Sequence, residues 1–289
     1  MKGKKNITIV EVGPRDGLQN IAHFIPTSKK AEIINKMVDA GEKQIEFSSF
    51  VHPEWIPQLA DVEQLYDLIK DRKNVTYRAL VANEKGLERA IAIGVKSVVW
   101  VVAATDRGNL DNVNMTTEQS LELVRRTGKR LGDTGVKLCG IIACALGDPL
   151  EGDVPVKTVI EVSEAFQEAG ATDISLADTI GIANPQKVRQ MVTQLVEALP
   201  HVNWGIHLHN ILGLGMANAL AAWESGIATF ESSVAGLGGC PYAPHQGGNI
   251  ATEELVYLMA TLGVDTGIDL GKLLETRDFV RSVVQSPLP

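Results

Sequence analysis

The amino-acid sequence predicts an α/β chain folded as a single closed (β/α)8 barrel of the TIM type, with a short C-terminal helical extension. Three observations carry this. Short β-branched runs alternate with longer amphipathic helical patterns, the alternation repeats eight times, and no linker-like Pro/Ser/Gly tract divides residues 1–289. By length alone 289 residues allow one barrel or two smaller domains. The eightfold repeat decides for one domain, because an open doubly wound sheet usually has about five or six strands.

The first strand is Ile7 to Val12, followed by a helix from about Ser28 to Ala40 in which Ile33, Ile34, Met37 and Val38 form an apolar stripe. Further strands are expected at Gln44–Ser48, Thr76–Val81, Ser97–Ala104, Lys137–Ala143, Asp173–Ala177, Trp204–His209 and Thr229–Ser233. Helices fit between them near Glu54–Ile69, Glu84–Ile93, Thr117–Leu131, Pro155–Ala169, Pro185–Leu199, Gly213–Ser225 and Asn249–Leu262, with the extension after Asp269. Pro155 and Pro185 fall in first turns, where a missing N–H is tolerated. Four helices close on Ala40-Gly41, Ile93-Gly94, Ala169-Gly170 and Ser225-Gly226, where glycine supplies the left-handed cap.

Composition narrows the function classes. With 45% hydrophobic and 21% charged residues the chain is an ordinary globular one, and a net charge of -8 argues against a broad nucleic-acid-binding face. The only basic cluster is Lys2, Lys4 and Lys5. Three cysteines with no CxxC spacing make neither a disulfide framework nor a thiolate zinc site, so a reducing cytoplasm is the expected compartment. Apolar runs such as Ser97 to Ala104 are strand-length, and Ile7 to Val10 is too short for a signal peptide, so neither export nor a membrane partner is expected.

In a barrel of this type, reactive groups gather at the C-terminal ends of the strands. The first strand runs out into Gly13-Pro14-Arg15-Asp16-Gly17, a turn that places a cation beside a carboxylate. On the seventh strand His207 and His209 share one face while Ile206 and Leu208 take the other. Two imidazoles aimed into the mouth, with Asp16 offering an oxygen, form a mixed N/O set suited to Mg²⁺, Mn²⁺ or a similar divalent ion. Glu46, ending the second strand, and Asp178, after the sixth, add carboxylates to this rim, each readable as a buried partner of Arg15 or as a helix-capping group. The segment Val234 to Ala243 is glycine-rich but lacks both a Walker-type ending and GxGxxG spacing, so a phosphate loop is not indicated. It carries Cys240, the one cysteine outside the strand regions, whose thiol can act as acid or base; Cys139 and Cys144 read as small core residues.

These segments, Val10 to Asn20, Ile45 to Phe50, Cys144 to Gly147, Ser175 to Gly181, Val234 to Ala243 and Gly248 to Tyr257, resemble 3-hydroxy-3-methylglutaryl-CoA lyases over essentially the whole chain. More broadly, the chain is similar to the metal-dependent barrel lyases and Claisen-type synthases that share an Arg-Asp pair and HxH. The resemblance implies that Asp16, His207, His209 and Asn249 bind Mg²⁺ or Mn²⁺ and that Arg15 stabilises enolate charge. It implies further that His207 is a base, that Cys240 is a catalytic thiol, and that Glu46 and Asp178 orient Arg15 and the substrate hydroxyl. It also implies an acyl-CoA substrate and a homodimer. Where lyases carry Asp-Thr-Tyr-Gly-Gln after the second histidine, this chain has Asn210-Ile211-Leu212-Gly213-Leu214, and Ile21 replaces a Glu. Those changes predict a more apolar acyl pocket. A condensing synthase is the runner-up activity, and a non-catalytic barrel that binds a CoA ester is the reading from another class.

Overall fold

The computed structural model describes residues 6–132, 134–239 and 248–285. Eight parallel strands close in sequence order into a barrel: β1 Thr8–Glu11, β2 Gln44–Ser49, β3 Thr76–Leu80, β4 Ser97–Ala103, β5 Lys137–Ala143, β6 Asp173–Asp178, β7 Asn203–Leu208 and β8 Thr229–Ser232. The surrounding helices are α1 Thr27–Asp39, α2 Val62–Ile69, α3 Glu84–Ala92, α4 Asp106–Val113, α5 Thr117–Leu131, α6 Val156–Glu168, α7 Pro185–Ala198, α8 Gly215–Glu224, α9 Thr252–Thr261 and α10 Leu270–Gln285. The last of these is the expected extension. It packs against α1 and α9.

Local chemistry sets the boundaries. Helix α5 starts in a capping box, with Thr116 Oγ1 accepting from Gln119 N and Gln119 Oε1 accepting from Thr116 N. In α7, Asn184 caps Lys187 N just ahead of Pro185. Gly41 and Gly226 end their helices at φ 106 and 108, a region where a Cβ is costly.

Three expectations shift. The second helix begins at Val62 rather than Glu54, because Gln58 turns inward to accept from Ile25 N and donate to His23 O, and a 3-10 turn takes Pro57–Leu59. Helix α4 was not expected, since its run DRGNLDNV has almost no apolar stripe. It is held by Thr105 capping Gly108 N and by buried Asn109 bonded to Ala103 N and O. The last barrel helix starts at Thr252 rather than Asn249. Residues 248–250 continue the sheet instead, with Ile250 N donating to Leu208 O and Asn210 N to Gly248 O.

The barrel wall separates two unlike interiors. Outward-facing residues such as Ile174, Leu176, Ile206, Leu208 and Phe230 join the large core under the helices. Within the barrel, among the described residues, Val99, Cys139, Ile141 and Ala177 form a small buried apolar cluster. The remaining described space holds charge and hydroxyl: Glu46, Arg78, Ser175, His207 and Glu231. Cys139 and Cys144 are both buried, as a core role requires.

A second group of acids lies in the outer layer. Glu11 accepts from Gly13 N, Val234 N and Thr252 Oγ1, and burial pushes its pKa up to about 7. The carboxylate oxygens of Glu42 are buried with no hydrogen-bond partner among the described residues. Burial, and then the nearby charges of Glu11 and Glu253, raise its pKa well above the ordinary value. The unfolded chain releases this proton near the ordinary value while the folded chain keeps it, so stability falls as pH rises beyond that point. Glu42→Gln is therefore expected to raise the melting temperature at pH 8 by several degrees, at about 2–4 °C per kcal/mol for chains of this size, with much less gain at pH 5. Equal gains at both pH values in thermal melts would sink this reading.

Candidate active site

The site begins where β1 ends. Residues Gly13–Gly17 form one π-helical turn, with Gly17 N reaching back to Val12 O. The turn fits because a Cβ on Gly13 would lie 2.4 Å from Glu11 Oε1, and one on Gly17 2.9 Å from Leu237 Cβ. It carries Arg15 and Asp16, both buried, into the barrel mouth.

Arg15 Nη1 donates to Asp16 Oδ1 at 2.8 Å, and its Nε donates to Glu46 Oε1. Burial alone would favour a neutral guanidine, but Glu46 and Asp16 outweigh it and raise the pKa, so the cation is held charged. Asp16 is also desolvated, yet Arg15, His207 and His209 hold its carboxyl below the ordinary range. Gln19 Nε2 donates to the same Oδ1 at 3.0 Å.

From β7, His207 Nε2 and His209 Nε2 face each other at 3.1 Å. Burial, then the neighbouring His207, pushes His209 down to about 4, so it is neutral at physiological pH. Asp16, His207 and His209 each place a ligand atom within 4.8 Å of the other two. Two imidazole nitrogens about 2.1 Å from one ion and at a right angle stand about 3 Å apart, so the observed spacing suits a shared cation. Asn249 completes the set. Its Nδ2 donates to Asp16 Oδ2 at 2.7 Å and to Leu237 O at 2.9 Å, while its Oδ1 is buried with no hydrogen-bond partner among the described residues. A lone carbonyl oxygen beside a carboxylate and two imidazoles fits a divalent ion with mixed N/O ligands.

The structure thus brings Arg15, Asp16, Glu46, His207, His209 and Asn249 together. Glu46 is the buried partner of Arg15. Asp178 has a different post: it lies on the outward face of β6 with Ile174 and Leu176, and accepts from Ile182 N and Ala183 N. Its carboxyl, pushed up to about 6 by burial, anchors the turn ahead of α7 and makes no bond to Arg15. His207 was expected to be both ligand and base, but its Nδ1 is taken by Glu231 at 3.1 Å, which leaves the single Nε2 for both tasks. Cys240 lies outside the described residues. Leu212 and Leu214, expected to line an acyl pocket, are 61% and 38% exposed at the entry to α8.

Sequence reading missed Glu231 and Arg78. Arg78 Nη2 donates to Glu231 Oε1 at 2.9 Å, and Ser175 Oγ donates to the same oxygen at 2.8 Å. A signal was available, because Glu231 and Arg78 fall on the inward positions of their strands, and a charge there has no apolar reading.

Fold and site together define a class: a (β/α)8 barrel enzyme whose C-terminal mouth carries a buried Arg-Asp pair beside two histidines, a cluster able to hold a metal ion. A family model described as HMGL-like matches residues 6–280. The human mitochondrial hydroxymethylglutaryl-CoA lyase is 40% identical over 276 residues, covering 96% of this chain and 85% of that protein. The crystal structure of the Bacillus subtilis HMG-CoA lyase superposes with a TM-score of 0.95 at 39% identity, covering 100% of this chain and 97% of the other. An HMG-CoA lyase from Acinetobacter baumannii, solved with coenzyme A and 3-methylmalate, gives 0.91 at 36% identity over 97% and 92%. The chain belongs to the HMGL-like family of hydroxymethylglutaryl-CoA lyases, and it is a carbon–carbon lyase.

Proposed function

We propose that this enzyme cleaves 3-hydroxy-3-methylglutaryl-CoA to acetyl-CoA and acetoacetate, using Mg²⁺ or Mn²⁺ held by Asp16, His207, His209 and Asn249. The observation that carries the reading is the buried Arg15 cation fixed beside that ligand cluster, in a chain about as similar to bacterial as to animal HMG-CoA lyases. A relative solved with coenzyme A supports an acyl-CoA substrate. A cytoplasmic homodimer is the proposed working form, on the family resemblance. No helix among the described residues is long and apolar enough to cross a membrane.

In the reaction the 3-hydroxyl proton passes to solvent water, the C2–C3 bond breaks as the hydroxyl carbon becomes the keto carbon of acetoacetate, and the bond's electron pair passes to the thioester as an enolate that is then protonated at C2. A divalent cation held by these residues would supply the Lewis acidity that acidifies the hydroxyl. Arg15 offers fixed positive charge to the thioester oxygen as it becomes anionic, and Glu46 keeps the guanidinium from turning away. Cys240 is the proposed donor to C2. His207 serves as ligand and not as base, since one Nε2 cannot hold its lone pair to an ion and take a proton. The net charge of -8 repels an anionic CoA ester, so recognition depends on local cations such as Arg15.

The test is product analysis by mass spectrometry after incubating the purified enzyme with hydroxymethylglutaryl-CoA and Mn²⁺ or Mg²⁺. Acetyl-CoA and acetoacetate should appear and should vanish on chelation. No cleavage of this ester, alongside turnover of another 3-hydroxyacyl-CoA or condensation of acetyl-CoA with a keto acid, would overturn the assignment.

A further inference from the structure

We propose that Glu231 is a positioning residue that fixes His207 in the tautomer able to bind the cation, and that Arg78 and Ser175 hold Glu231 to that task. The proposal rests on the metal-centre reading above. It starts from register: His207 of β7 and Glu231 of β8 are paired neighbours, so both side chains leave the wall toward the barrel interior. Glu231 divides its oxygens. Oε2 faces His207 Nδ1 at 3.1 Å, while Oε1 accepts from Arg78 Nη2 at 2.9 Å and Ser175 Oγ at 2.8 Å. All these groups are buried. Room for the Ser175 bond is made by Gly205, where a Cβ would sit 2.4 Å from Ser175 Oγ.

An ionised carboxylate only accepts hydrogen bonds. His207 Nδ1 must therefore carry a proton, and in the neutral ring Nε2 keeps its lone pair, facing His209 Nε2. A histidine ligand whose second nitrogen donates to a carboxylate is held in both orientation and tautomer. The chain of contacts continues past Glu231. Arg78 Nε lies 3.6 Å from Glu46 Oε2, and Glu46 Oε1 accepts from Arg15 Nε. Alternating charges thus run Glu231, Arg78, Glu46, Arg15, tying the His207 imidazole to the Arg15 guanidinium.

An amide in place of the carboxylate discriminates this role from simple packing. In Glu231→Gln the carbonyl oxygen must face Arg78, because a guanidinium only donates. The amide NH2 then points at His207 Nδ1, which is forced to accept, and the ring proton moves to Nε2. Shape is kept and the ligand atom is blocked.

The experiment measures Mn²⁺ affinity of the full-length protein by isothermal titration calorimetry after chelator dialysis, with the His207 tautomer followed by nitrogen-15 NMR. Glu231→Gln should weaken Mn²⁺ binding by roughly 10- to 100-fold, with the tautomer switched and the metal-free fold intact. Ser175→Ala, which keeps the carboxylate, should lose less than about tenfold and keep the tautomer. Folded Glu231→Gln that binds Mn²⁺ within twofold of wild type overturns the proposal. So does an Nε2–H tautomer in the metal-free wild type, a result that needs no variant to fold. A wild type that binds no Mn²⁺ overturns the metal centre itself, whereas binding that ignores Glu231→Gln overturns the positioning role alone.

Discussion

Arg15→Gln is expected to lower kcat by roughly 10²- to 10³-fold, the usual effect of removing one preorganised donor from the site of developing negative charge. KM should change far less, because the interaction strengthens only as the enolate forms. The substitution also leaves Glu46 buried with Arg78 as its remaining cation, and breaking a buried pair from one side costs about 3–5 kcal/mol. A fall in melting temperature should therefore accompany the loss of rate. Arg15→Lys separates the two effects. Lysine keeps the charge but cannot place one donor on Glu46 and another on Asp16 in a single planar fork. Its stability should be partly restored while kcat stays well below wild type. Steady-state kinetics beside thermal melts make the check, and full activity in Arg15→Gln would remove Arg15 from the mechanism.

The second large effect is expected from a methyl group. A Cβ on Gly248 would lie 2.5 Å from Gly238 O and 2.6 Å from Gly236 O, and backbone carbonyls cannot rotate aside as a side chain does. Gly248→Ala must part the two segments that hold Asn249, through Leu237 O on one side and Asp16 Oδ2 on the other. A misplacement of about 1 Å at a reacting site costs on the order of 10²-fold in rate, and Gly248→Ala should show a loss of that size together with weakened Mn²⁺ binding. Gly132→Ala is the control. That residue has ordinary helical angles, and a Cβ there would meet nothing nearer than 3.6 Å among the described residues, so activity and melting temperature should stay near wild type. If Gly248→Ala behaves like the control, the close approach of these segments has no catalytic consequence.

The barrel was legible because each strand and helix announces its own period, and because Gly41 and its counterparts end helices by a local rule. Helix α4 was not, since Asn109 stabilises it through bonds to Ala103, a contact invisible to apolar periodicity. Arg15, Asp16, His207 and His209 stood out as polar residues at strand ends. Asn249 was placed in a helix by its downstream pattern, whereas the sheet claims it through Ile250 N and Leu208 O. Asp178 sat at the right height on its strand but on the wrong face for Arg15, a distinction that one residue of register decides. Glu231 and Arg78 signalled themselves as charges at inward strand positions, but which groups they meet is readable only once the partner strands are known.

The two unlike interiors described above make the sheet a partition. Its outer face, with Ile206, Leu208 and Phe230, belongs to folding, and its inner face, with His207 and Glu231, belongs to chemistry. The two sets alternate along the same strands, so slipping any strand by one residue would exchange them, putting Phe230 in the mouth and the Glu231 carboxylate under the helices. Strand register is then as much a part of the catalytic apparatus as any side chain. It follows that helix-layer substitutions can be screened for thermal tolerance independently of activity, while changes inside the wall should move both.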